Sequence, residues 1–145
     1  MLPIKHLFFG FVFALILLVI FPQISWIGFA LIIFSTVVID VDHYFYYIYK
    51  KKDFSLKNSY QWFMKRREKF LSLPWKQRNN FNINLSILHG IEVLVILFLL
   101  SFIHKYFLFV FVGFAFHLLL DSIDQTTYWD RISKVSLVWD YLRFR

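Results

Sequence analysis

The sequence predicts an all-α membrane protein: a compact bundle of about four transmembrane helices with an amphipathic cytoplasmic segment. Three observations predict it. Hydrophobic residues make up 59% of the 145 residues, and the mean hydropathy is +0.60, well above the soluble norm. Leu7 to Ile39 runs 33 residues without a charge, too long for one ordinary span of about 20 residues. The basic residues flank apolar runs rather than interrupting them, as expected of loops held against anionic headgroups. That placement gives the net charge of +7 a lipid meaning, and no nucleic-acid partner is expected. The length fits one integral membrane domain over 1–145. With no cysteine, a disulfide framework and a thiolate metal site are both excluded.

The elements follow in order. Lys5 ahead of an apolar run has the flavour of a secretory signal, but no small-x-small cleavage site follows, so a retained helix is expected. Pro22-Gln23 divides the first apolar run, because proline lacks the helical donor and pushes its predecessor out of the helix. This gives spans at 6–21 and 24–46. A basic cytoplasmic loop fills about 50–80. Within it Tyr60, Phe63, Met64, Phe70 and Leu71 recur near helical spacing among Lys65, Arg66, Arg67 and Lys69, the pattern of a helix lying on a charged leaflet. Two further spans are expected at 83–104 and 106–125, with a tight turn at Lys105. The tail 128–145 alternates Trp129, Ile132, Val135, Val138 and Tyr141 with charges and has the same surface-helix pattern.

Charge counting orients these spans. With the N-terminus inside, fifteen Lys and Arg fall on the cytoplasmic side and one, Lys105, on the outer side, a strong positive-inside bias. The expected location is the inner membrane, with both termini cytoplasmic.

Ionisable groups inside apolar segments then stand out, because they are costly there and usually functional. Asp40-Val41-Asp42-His43 ends span two, His89 and Glu92 open span three, and His117, Asp121 and Asp124 end span four. All three sets fall at one depth on the cytoplasmic side. His117, Asp121 and Asp124 share one helical stripe, and a helix through His89 and Glu92 puts those two on one face. Asp40 and His43 share a face, with Asp42 pointing elsewhere unless the helix unwinds. Asp, Glu and His are ligands for a hard or borderline divalent metal. The expected metal set is Asp40, Asp42, His43, His89, Glu92, His117 and Asp121, with Glu92 and Asp42 as candidate catalytic groups. Asp42 serves either as a ligand or as a partner orienting an imidazole. Zinc is favoured over manganese, magnesium or iron. His6 and His104, at span ends, are expected at the interface.

These motifs resemble a family of small inner-membrane proteins assigned as metal-dependent hydrolases, one bacterial branch of which is LexA-regulated. Family members carry a D-x-D-H element, a His opening the next apolar helix, and a Gly-preceded H-x-x-x-D element. The corresponding residues are Asp40-Val41-Asp42-His43, His89, and Gly113 with His117-Leu118-Leu119-Leu120-Asp121. The middle element departs: many members show a His-Arg-Gly…Thr-His-Ser run where this chain has Ser86-Ile87-Leu88-His89-Gly90-Ile91-Glu92. One histidine remains, which leaves Glu92 as the candidate for the missing ligand. The resemblance implies a membrane-embedded metal site and a hydrolytic reaction.

A metal in such a site supplies an activated water and polarises a phosphoryl or acyl oxygen. A site under a basic loop suits an anionic amphiphile, a lipid or lipid-linked phosphate. Two rivals remain open: a metal-ion or proton transporter, and a non-catalytic scaffold pinned by its metal. The outer halves of the spans lack charges, which disfavours a polar route across.

Overall fold

The computed structural model describes residues 3–78, 87–128 and 136, and every regular element among them is an α-helix. α1 (Pro3–Ile20) begins on a proline, whose fixed φ suits a first helical turn. It stops just before Phe21-Pro22, where a turn closes with Ile24 N–H donating to the Phe21 carbonyl at 3.0 Å. α2 (Trp26–Val38) is capped by Ser25, whose hydroxyl accepts from Gly28 N–H at 3.1 Å.

The second expected span is not one smooth helix. It breaks at Ile39–Asp40 and resumes as α3 (Val41–Lys51). At the break Asp40 N–H donates to the Val37 carbonyl, three residues back, at 3.1 Å. The Thr36 carbonyl, which an unbroken helix would use four residues on, is thereby freed.

α3 ends at Lys52, whose φ of 56° is left-handed. Asp53 then ties the corner together. Its carboxylate accepts from the Tyr47 hydroxyl at 2.6 Å, Ser55 N–H at 2.9 Å and the Asn58 side-chain amide at 2.8 Å. Tyr47 first, then Ser55 and Asn58, hold this carboxyl below the usual carboxylate range.

α4 (Leu56–Ser72) and the one-turn α5 (Trp75–Arg78) occupy the basic segment. α4 is the helix that the spacing of Tyr60, Phe63 and Phe70 predicts. Its apolar side also packs on protein: Trp62 lies against Tyr46 and Tyr47, and Phe70 is buried.

α6 (Ile91–Ser101) is shorter than the span expected at 83–104, because Gly90 adopts an extended conformation (φ −86°, ψ 148°) and caps it. Residues 79–86, which include the start of that span, lie outside the described residues. So does the tail pattern 129–145 apart from Ser136. After a tight turn at 102–104, α7 (Lys105–Tyr128) runs 24 residues.

Among the described residues three helical stretches are long and apolar enough to cross a membrane: Pro3–Ile20, Trp26–Lys51 (α2 and α3 taken together) and Lys105–Thr127. α2 is the central element, packed on α1 and α7, with α6 against α7. Small residues set the spacing. A side chain at Gly113 would lie 2.6 Å from both the Ile32 carbonyl oxygen and Ser35 Cβ, and one at Gly10 would run into Thr36. Close approach through small residues is the usual way apolar helices pack in lipid. Ser35 and Thr36 direct their hydroxyls back to the Leu31 and Ile33 carbonyls, so neither adds an unmet polar group to the interface. Phe8, Val19, Phe34, Leu99 and Ile123 face outward and exposed.

Candidate metal centre

Four segments deliver side chains to one buried point. The break between α2 and α3 supplies Asp40, Asp42 and His43. The turn before α6 supplies His89, and α7 supplies His117 and Asp121, one helical turn apart. α1 supplies His6. The rings of His6, His89 and His117 are at most 1% exposed, whereas the His43 side chain is 25% exposed and marks the open edge.

The small-residue contacts explain how the backbones come close enough. Gly10 follows His6 by four residues and Gly113 precedes His117 by four, so each glycine shares its histidine's helical face. Where the glycines let α1 and α7 touch α2, the imidazoles one turn away meet the residues at the end of α2.

His89 Nε2 and His117 Nε2 lie 3.3 Å apart. Asp40 Oδ1 is 3.7 Å and 3.8 Å from them, and Asp121 Oδ2 is 3.6 Å and 3.5 Å. These atoms form two triangles sharing the His89–His117 edge. Donors bound to a tetrahedral metal at 2.0–2.1 Å sit about 3.3–3.4 Å apart. Each triangle is therefore close to the size of one face of such a tetrahedron.

The outer nitrogens fix the direction of the inner ones. His117 Nδ1 lies 2.8 Å from the Thr36 carbonyl, the one freed by the helix break. A carbonyl only accepts, so His117 Nδ1 carries the proton, and in the neutral ring Nε2 presents a lone pair. His89 Nδ1 likewise faces the Asp42 carboxylate at 3.0 Å, which also accepts from Leu88 N–H at 3.1 Å. Asp42 reaches a second ring through its other oxygen, 2.9 Å from His43 Nδ1. The rings of His43 and His89 stack with centroids 4.8 Å apart, and Phe63 of α4 stacks on His43 at 5.6 Å.

The structure thus brings Asp40, Asp42, His43, His89, His117 and Asp121 together, and three groups of these and His6 are compact enough to hold a metal ion. The unwinding at Ile39–Asp40 turns Asp42 inward, where it is 8% exposed. Glu92 is not brought in. α6 begins only after Gly90, so His89 lies outside the helix that carries Glu92, and Glu92 accepts a hydrogen bond from Ser136. Asp124 is half-buried and belongs to none of the ligand groups.

His6 corrects a sequence expectation. Instead of sitting at the interface it is fully buried, with Nε2 3.2 Å from Asp121 Oδ1 and its ring stacked on His117 at 3.9 Å. Its matching glycine, His6-x-x-x-Gly10 against Gly113-x-x-x-His117, is the signal that points to it. His104 is exposed at the α6–α7 turn.

Comparison with protein-family models, curated proteins and solved structures finds no match. Fold and site together define a class: a helical protein with helices apolar enough to span a membrane, built around a buried His/Asp group that could hold a metal ion.

Proposed function

We propose that this chain is an integral inner-membrane protein that holds a divalent metal near the cytoplasmic face and uses it to hydrolyse a phosphoester or lipid-type amphiphile. One observation carries the metal site. The Thr36 carbonyl and the Asp42 carboxylate hold His117 and His89 so that both Nε2 lone pairs face one another and two carboxylate oxygens. Acceptors converging in a buried space repel unless a cation joins them. A proton between the two nitrogens would leave Asp40 and Asp121 largely uncompensated, whereas a divalent ion neutralises both.

The donor set, imidazole and carboxylate without sulfur, suits zinc best on the edge lengths and also admits manganese or iron. His89, His117, Asp40 and Asp121 hold the ion. Asp42 orients His89 and His43 rather than binding first. A metal there would supply Lewis-acid polarisation and, in a fifth position to which zinc can expand beyond these four donors, an activated water. His43, paired with Asp42 at the open edge, is the group placed to hold or move a proton beside a substrate. α4 borders that edge through Phe63, and Lys65, Arg66 and Arg67 follow it in sequence. A basic, aromatic border fits an anionic amphiphile and a leaflet surface. The resemblance of the Asp40–His43 and His117–Asp121 elements to membrane hydrolases supports the same reading.

The test is metal content and turnover on protein purified in detergent. Wild type is expected to carry stoichiometric metal and to cleave phosphoester or lipid ester substrates, and His117→Ala to lose both. Metal without hydrolysis across such substrates favours a scaffold. Metal-dependent ion flux in proteoliposomes favours a transporter.

A further inference from the structure

We infer that the cluster is a two-cation centre: a second divalent cation binds between His6, Asp121 and Asp40, and the two carboxylates bridge it to the first. This rests on the metal-site reading above, to which it adds a ligand and a stoichiometry.

His6 is the starting observation. Its ring is completely enclosed, and neither Nδ1 nor Nε2 has a hydrogen-bond partner. A buried imidazole normally satisfies at least one nitrogen. His89 and His117 do so, each through Nδ1. His6 instead stacks on His117, with the rings inclined by 15°, and brings Nε2 to 3.2 Å from Asp121 Oδ1. That distance is within ion-pair range.

The carboxylates divide in a matching way. Asp121 turns Oδ2 toward His89 and His117 and Oδ1 toward His6. Asp40 turns Oδ1 toward His89, His117 and His43, while its Oδ2 is buried without a hydrogen-bond partner. One oxygen of each carboxylate faces the first site, and the other is directed elsewhere. His6, Asp40 and His117 form one compact ligand group and His89, His117 and Asp121 another, with His117 common to both. Carboxylates shared between two such positions are how paired metal sites hold ions roughly 3.5–4 Å apart. A second cation takes up the bare nitrogen of His6 and the bare oxygen of Asp40 together, which a His6–Asp121 ion pair does not.

The decisive experiment uses the full chain in detergent, stripped of metal and titrated with Mn²⁺. Wild type is expected to bind two Mn²⁺ per chain, with an electron paramagnetic resonance signal from an exchange-coupled pair. His6→Ala and His6→Gln are each expected to bind one, with the six-line spectrum of an isolated ion. One Mn²⁺ in wild type overturns the inference and leaves the single-metal reading standing, and two in both variants overturns the placement of the second ion at His6. No Mn²⁺ and no Zn²⁺ in wild type overturns both. The wild-type stoichiometry and spectrum decide without reference to whether a variant folds.

Discussion

Asp42 shows how one side chain can organise a site. Its two oxygens reach two imidazoles and a backbone N–H, which sets the direction of His89 and His43. Partners of this kind typically change metal affinity by about 10–100-fold when altered. Asp42→Asn is therefore expected to weaken metal binding by that order while the helices remain formed, as read by competition with a chelating dye and by circular dichroism. Asp53 gives a second residue-scale prediction, with a sign. Its folded-state pKa lies below the value of about 3.9 for an unfolded chain. Its contribution to the α3–α4 corner is thus present above that pH and is lost as pH falls through the lowered value. Amide exchange at Ser55 and Asn58, compared between wild type and Asp53→Asn at matched pH, should differ at pH 7. The difference should vanish once Asp53 is protonated. The residues visible in sequence were those whose chemistry clashed with apolar surroundings: Asp40, His43, His89, His117 and Asp121. His6 escaped because its partner lies at residue 121, and no local period encodes a contact of that separation.

Between elements, the fit depends on which atoms oppose a glycine. Nearest to Gly113 stand a backbone carbonyl and Ser35, whereas the three atoms nearest Gly28 all belong to the Phe109 ring. A ring can rotate away, but a helix backbone must move as a whole. Gly113→Ala is expected to cost about 1–3 kcal/mol through overpacking and to reduce metal retention, because His117 sits one turn away on the same helix. Gly28→Ala should change neither thermal stability nor metal content appreciably. The elements themselves were largely legible. Pro22 marked the end of α1, and amphipathic spacing marked α4. The break at Ile39–Asp40 was not legible, because neither proline nor glycine marks it and the partner of the freed Thr36 carbonyl, His117, comes from a distant helix. The span expected through His89 reads as continuous by hydropathy. Its described helix starts only after Gly90, a residue that hydropathy alone does not register as a cap.

At the scale of the whole molecule, the distribution of basic residues gives an orientation that can be tested cleanly, because the chain contains no cysteine. Single cysteines at Lys57 and Lys105 are expected to react with a membrane-impermeant thiol reagent from opposite sides. Lys57→Cys should label only when the cytoplasmic face is exposed, and Lys105→Cys should label in intact cells. Labelling of both from one side would remove the basis for placing the site near the cytoplasmic leaflet. The apolar character of the helices was plain in composition, and large apolar side chains such as Phe8, Phe34, Leu99 and Ile123 are exposed on α1, α2, α6 and α7. The inward arrangement was only partly plain, since depth can be counted along a chain but rotation about each helix axis cannot.

The His/Asp cluster draws on positions from His6 to Asp121, and this has a consequence for biosynthesis. As the chain emerges N-terminus first, an integral membrane protein of this order would insert α1 to α3 carrying an imidazole and carboxylates whose counterparts have not yet been made. The cavity closes only when α7 arrives beside α2. Under the proposed function, cation capture would report completed insertion, and a ribosome stalled before α7 would leave a nascent chain unable to retain metal.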